Sequence, residues 1–222
     1  MTTLRVVDLE TTGLPPDAAI CEIAWQDVAV DGTLGRSAST LINPGRPIPP
    51  EASAVHHIVD GDVVNAPTIE KPFIAAMAGA DVFVAHNAAF ERAFFAGGEK
   101  PWICTLKVAR RVWPDAPSHS NQALRYWRKL DTLPSMAMPP HRALPDAYVT
   151  ALILSDLLRD VTVDDMVQWT KEPSLLPRVT FGKHRGKKWS DLPFDYLDWI
   201  VNKSDLDEDT KFTAAHHRKA MS

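Results

Sequence analysis

The chain is short of cysteine. Cys21 and Cys104 are the only two in 222 residues, too few for a disulfide framework or a cysteine-rich zinc site. It has no apolar run near the roughly 20 residues that a membrane span requires, which excludes a membrane partner of that kind. Met1-Thr2-Thr3-Leu4-Arg5 lacks the basic-then-apolar order of a secretion signal. The expectation is a cytoplasmic protein with reduced thiols. Net positive charge is also missing: the formal balance is −4, which does not announce a nucleic-acid binder. Internal repeats and low-complexity tracts are absent. Hydrophobic residues at 45% and charged residues at 23% are those of an ordinary globular chain.

Charge is unevenly placed. From Lys107 to Lys129 there are six basic residues, Lys107, Arg110, Arg111, Arg125, Arg128 and Lys129, and one acid, Asp115. A second basic cluster is Gly182-Lys183-His184-Arg185-Gly186-Lys187-Lys188. A protein that gathers carboxylates in one place can be acidic overall and still offer basic strips to phosphates.

The coarse pattern is mixed α/β. Leu4–Leu9 reads as a buried strand that ends in acids, and Thr11-Thr12-Gly13-Leu14-Pro15-Pro16 breaks it. Ile20–Val30 reads as a second strand. Asp31-Gly32 signals a hairpin returning through Ser37–Ile42. A helix is expected near Ile69, a strand at Asp81–Ala85, a helix capped by Asn87, and a short strand at Trp102–Cys104. Helices follow at Thr105–Val112, Asn121–Arg128 and Leu144–Leu158, the last with Ala147, Ala151, Leu154 and Leu158 on one stripe and Pro145 in its first turn. Lys171-Glu172-Pro173-Ser174 reads as a linker, and helices are expected at Phe194–Ile200 and Asp207–Lys219. This gives an α/β domain over residues 1–165 and a small basic, aromatic module over 175–222.

Three segments carry chemistry. In Asp8-Leu9-Glu10 the acids lie on one face of a strand, roughly 6–7 Å apart, fit to share hard cations. In His86-Asn87-Ala88-Ala89-Phe90-Glu91 the Glu lies one turn into a helix leaving a buried strand. In His141-Arg142-Ala143-Leu144-Pro145-Asp146 the Asp opens the strongest helix, and the loop His can titrate near neutrality. Each alone has an ordinary explanation: a solvated strand edge, a helix-dipole acid, a capping acid with a surface histidine. Together, in this order and spacing, they resemble the three exonuclease motifs of the DEDDh (DnaQ-like) superfamily. Ala54-Val55-His56-His57-Ile58 resembles that family's Val-His-x-Ile segment. Trp102–Pro114 and Thr180–Lys187 are similar to bacterial DNA exonucleases of the same superfamily, so the likeness spans nearly the whole chain.

The resemblance implies a ribonuclease-H-like fold, with a five-stranded mixed sheet flanked by helices, and 3′→5′ hydrolysis of DNA to 5′-mononucleotides. It implies two divalent cations, magnesium or manganese, held by Asp8, Glu10, Glu91 and Asp146, with His141 as general base. It places Thr11, Thr12, Gly13, Leu14, His56, His86, Asn87 and Phe90 at the substrate, a 3′ end in single-stranded or frayed duplex DNA. Lys183, Arg185, Lys187 and Lys188 are expected nucleic-acid contacts of the tail. Trp189, Tyr196 and Trp199 either stack on bases or form the tail's core, the latter expected for Trp199. One residue departs from the pattern: Glu91 stands where the family usually has Asp, one methylene longer. Three rivals follow: an RNA-directed exonuclease of the same superfamily, a nucleic-acid-binding relative with weak catalysis, and a polymerase-associated proofreading subunit. The motifs leave oligomeric state open.

Overall fold

Strand β1 (Thr3–Thr11) explains the architecture, because its two faces are written differently. Side chains alternate across a strand. Leu4 and Val6 join one apolar cluster, while Val7 and Leu9 join another. A strand buried on both faces belongs in the middle of a sheet covered by helices on each side. The computed structural model, which describes residues 2–95 and 100–221, places it there. With β2 (Ile20–Ala29), β3 (Leu34–Leu41), β4 (Val82–Ala85) and β5 (Trp102–Cys104), the sheet runs β3-β2-β1-β4-β5. The β1–β2 and β2–β3 pairs are antiparallel; β1–β4 and β4–β5 are parallel. This is the expected five-stranded mixed sheet.

The hairpin between β2 and β3 turns at Asp31-Gly32, as its sequence predicts. Gly32 has φ of 85°, and a Cβ there would lie 3.4 Å from the Cβ of Ser155. Both facts favour glycine. Ser155 Oγ donates to the Gly32 carbonyl at 2.7 Å, tying the turn to the long helix beneath it.

Between β3 and β5 lie α1 (Pro50–His56), α2 (Asp60–Val63), α3 (Glu70–Met77) and α4 (Ala88–Phe94). After β5 come α5 (Thr105–Val112), α6 (Asn121–Trp127), α7 (Pro134–Ala137), α8 (Ala143–Leu157) and α9 (Val163–Lys171). Helix α8 is buried nearly all round: Ala147, Val149, Ala151, Ile153, Leu154 and Leu157 are inaccessible. It packs on β1 and β2 against Leu4, Val6, Ala24 and Val28. Truncating Leu154 or Leu157 to Ala removes contacts worth about 2–5 kcal/mol. Helix α9 was not expected. Its signal is Thr162, whose hydroxyl caps the N–H of Asp165 at 3.2 Å. Residue 165 falls inside this helix, which packs on β5: the Thr170 hydroxyl accepts the Cys104 N–H at 2.8 Å.

The C-terminal segment, with α10 (Phe194–Lys203) and α11 (Glu208–Lys219), has its own apolar cluster of Val179, Trp189, Leu192, Leu197, Ile200 and Ala214. Here an expectation fails. Trp199 is 44% exposed and stacks on Tyr196, whereas Trp189, at 1%, is the buried ring. A tryptophan on a short amphipathic helix can lie at the edge of the apolar stripe; the one that follows the basic turn points inward. No helix among the described residues is long and apolar enough to cross a membrane.

Candidate active site

Asp8 and Glu10 continue the face of β1 that carries Leu4 and Val6, the face covered by α8. Alternation therefore aims both acids at the N-terminal end of α8, where Asp146 sits in the first turn. One carboxylate oxygen from each of Asp8, Glu10 and Asp146 lies within 4.8 Å of the others. All three are half-buried, which leaves the cluster open on one side. Asp146 is fixed by two donors: the His141 N–H at 2.7 Å on Oδ2 and Gln122 Nε2 at 3.1 Å on Oδ1.

Glu91 lies in α4, outside that triplet, and is 4% exposed. Its Oε2 is buried and has no hydrogen-bond partner among the described residues. Burial pushes its carboxyl up to about 8. Glu10 is pushed up to about 8 by burial, with Asp146 and Glu22 adding like charge against a partial offset from Arg142. Asp8 is held well above the usual carboxylate range by removal from water, then by the charge of Glu91, Glu10, Asp146 and Glu22. Burial also raises Asp146. Four acids all raised by burial, three of them with like charge beside them, are a poor arrangement for an isolated protein and a good one for a hard cation. The all-oxygen donor set and the orphaned Glu91 oxygen both fit a divalent metal.

Asn87 occupies the N-cap position of α4 but does not cap it: φ is 83°, and its side chain makes no cap bond. The left-handed turn at this point swings α4 away from β4 and brings Glu91 toward the acids of β1. Asn87 instead lines a cavity with Ala88, Ala89 and Arg92. His86, expected at the substrate, has both ring nitrogens engaged inside the protein, Nδ1 with Thr105 Oγ1 at 2.9 Å and Nε2 with the His119 carbonyl at 2.8 Å. Burial lowers its pKa to about 4. It ties β4 to α5 and is neutral.

Of the remaining expected substrate residues, Thr11, Gly13, Leu14, His56 and Phe90 converge, while Thr12 is outside their cavity lining. A cavity of about 340 Å³ is lined by Leu9, Glu10, Thr11, Gly13, Leu14, His56 and Phe90. Thr11 Oγ1 donates to the Gly13 carbonyl at 2.7 Å, and Thr12 Oγ1 accepts the Ala19 N–H at 3.0 Å. These bonds set the loop that presents Leu14, whose side chain stands 78% exposed at the cavity rim. His56 is buried, with Nδ1 accepting the Ile58 N–H at 3.0 Å. Glu51, in the first turn of α1, lines the same cavity and was not foreseen.

Glu22 was also not foreseen. It lies on β2 opposite Glu10, a fifth acid beside the cluster and itself buried. Its charge is compensated: Arg142 binds it through Nη2 at 2.7 Å and Nε at 3.0 Å, and the Ala143 N–H adds a bond at 2.9 Å. This clamp holds the loop that carries His141, an exposed residue with φ of 59°. The sequence signal was an acid alternating with apolar residues within a β-branched strand.

Residues 6–154 match the family model described as Exonuclease. The chain belongs to the DEDDh (DnaQ-like) exonuclease family. It is 40% identical over 220 residues to Exodeoxyribonuclease 10 of Escherichia coli K12, covering 96% of this chain and 98% of that protein. It is 30% identical over 171 residues to the DNA polymerase III subunit epsilon of Aquifex aeolicus, covering 72% of this chain and 82% of that one. Among solved structures, exonuclease X in complex with 5′ overhanging duplex DNA matches with a TM-score of 0.68 and 41% identity, over 75% of this chain and 99% of that one. Cell-death related nuclease 4, at 17% identity and a TM-score of 0.56, shares the fold.

Proposed function

We propose that the protein hydrolyses DNA from 3′ ends and releases 5′-mononucleotides, using two divalent cations, magnesium or manganese. The observation that carries this reading is the Asp8–Glu10–Asp146 triplet, within 4.8 Å, beside a cavity lined by Thr11, Leu14, His56 and Phe90. In this reading Asp8, Glu10 and Asp146 would hold the cations, with Glu91 as a further carboxylate ligand. The cations supply charge neutralisation at the phosphate and favour ionisation of the attacking water. The protein's own groups do the rest. The cavity takes the terminal base and sugar, Phe90 and the stem of Leu14 offer apolar surface to a base, and Leu14 wedges against the next pair of a frayed duplex. His141, exposed on a loop fixed to Glu22 and Asp146, accepts a proton from the attacking water as the 3′ oxygen leaves. Lys183, Arg185, Lys187 and Lys188 contact phosphates beyond the site. Two buried free thiols, Cys21 and Cys104, suit a reducing cytoplasm.

The experiment is digestion of 5′-labelled and 3′-labelled DNA beside a matched RNA, with and without chelator. The expected result is a ladder shortening from the 3′ end, chelator-sensitive, faster on DNA. Faster cleavage of RNA identifies an RNA-directed enzyme. Inertness with magnesium and with manganese, relieved by Glu91→Asp, identifies a protein that binds more than it cuts. The burial of Glu91 with one oxygen unpartnered supports the active reading, since a disused acid has no physical reason to remain there.

A further inference from the structure

The two basic clusters of the sequence meet in space. A cavity of about 270 Å³ lies where α5 faces the C-terminal segment, and its lining includes Arg110, Arg111, Lys188, Trp189 and His216. Arg110 also lines the adjoining cavity that reaches Asn87 and Arg92 on α4, the helix of Glu91.

The balance of charge here is unusual for this protein. Asp115, on the cavity wall, pairs with Lys188 at 2.7 Å. Glu172 pairs with Arg111 at 2.6 Å, and the Arg111 guanidinium lies over the rings of Trp169 and Phe212. Asp209, in the adjoining cavity, accepts the Ser174 N–H at 2.7 Å. Arg110 is left with one neutral acceptor, Ser174 Oγ at 2.8 Å, and no carboxylate among the described residues. Arg5, Arg128 and Arg142 each have a carboxylate, and Arg125 bonds Gln122, Thr132 and the Ala137 carbonyl. Three buried N–H donors on lining residues, Arg110 Nε, Arg111 Nε and Trp189 Nε1, have no acceptor among the described residues. Buried donors are normally satisfied; these three are closed to a water-sized atom, and the half-buried Arg110 guanidinium is the cation that lines both cavities.

We propose that this cavity is a phosphate-binding site built jointly by α5 and the C-terminal segment, with Arg110 as its principal ligand. A phosphodiester of the bound strand and a free phosphate monoester share the required chemistry, and the guanidinium fork suits both. Delivery of a strand to this site rests on the nuclease reading; affinity for phosphate does not. The site would fasten the C-terminal segment to the exonuclease sheet through the ligand itself.

The test uses the full chain in chelator, so that nothing is cut. Thermal melting is followed with inorganic phosphate against sodium chloride of equal ionic strength. Affinity for a 5′-overhanging duplex is followed against salt. Arg110→Gln is compared with wild type, and Lys188→Gln, a partly exposed position, serves should Arg110→Gln fold poorly. For a strand site, the expected loss at Arg110 is about five- to tenfold in DNA affinity at 0.1 M salt, with the log–log salt slope smaller by about one. If phosphate raises the melting point of wild type but not of the variants, while the DNA slope is unchanged, the site takes free phosphate. If neither reading changes in either variant, the proposal is overturned. A protein that cuts no nucleic acid but shows Arg110-dependent phosphate binding would sink the nuclease reading and leave this site standing.

Discussion

The two ends of β1 hold buried charge in opposite ways. Near the start, Arg5 is inaccessible yet fully compensated. Its Nε and Nη2 reach Asp27 at 2.7 and 2.9 Å, Nη1 reaches the Ala76 carbonyl at 3.0 Å, and the guanidinium lies over Trp25. Near the finish, Asp8 and Glu10 stand among like charges, with Asp146 and Glu91 adding to the repulsion. One strand and one sheet thus supply both a closed pair and an open cluster. A closed pair holds the fold together. An open cluster keeps its folded form at a cost that a cation removes.

Breaking the open end gives the largest effect. Asp8→Asn should lower the rate of 3′-end release by at least about a thousandfold, measured under single-turnover conditions. The same variant should melt at a higher temperature than wild type in chelator at pH 8, because it removes a repelled charge. Breaking the closed end should do the reverse. Arg5→Ala leaves Asp27 buried without its partner and should cost about 3–5 kcal/mol in denaturant unfolding, with the rate per folded molecule little changed.

Glu22 lies between these cases, beside the open cluster but itself closed by Arg142. Glu22→Ala frees the loop that carries His141 and should reduce kcat by about a hundredfold with a small change in KM. A rise in KM alone, with kcat intact, would remove Glu22 from the positioning of that loop. The smallest effect is in pH. Glu10 and Glu91 both move up from ordinary carboxylate values to about 8 on folding. Their stabilising contribution is complete below about pH 4.5 and is lost as pH rises toward 8. Melting of the chelated protein should therefore fall between pH 5 and 8, and manganese at pH 8 should restore most of the loss. Equal melting points across that range would contradict the raised values.

Much of the fold was legible because β1 and β2 are apolar, β-branched-rich runs bounded by turn signals and α8 is a long apolar stretch with proline in its first turn. The short helices α1, α2 and α7 were not read, since four to seven residues carry too little periodicity. That Asp8, Glu10 and Asp146 meet in one cluster accords with their order and spacing in the sequence. His86 was misplaced, because sequence adjacency to Glu91 says nothing of where a ring points, and here both nitrogens turn inward. Glu22 and Glu51 were missed for the converse reason: their neighbours across β2 and α1 are assembled only in three dimensions. Arg110 was seen as part of a basic strip, but its lack of a carboxylate is a fact of packing.

The most direct measurement is a count of bound manganese by electron paramagnetic resonance, in wild type and in Asp8→Asn. The account predicts tight sites in the wild type at pH 8 that the variant loses. Equal, tight binding by both proteins would mean that the cluster on β1 is not where the cation is held.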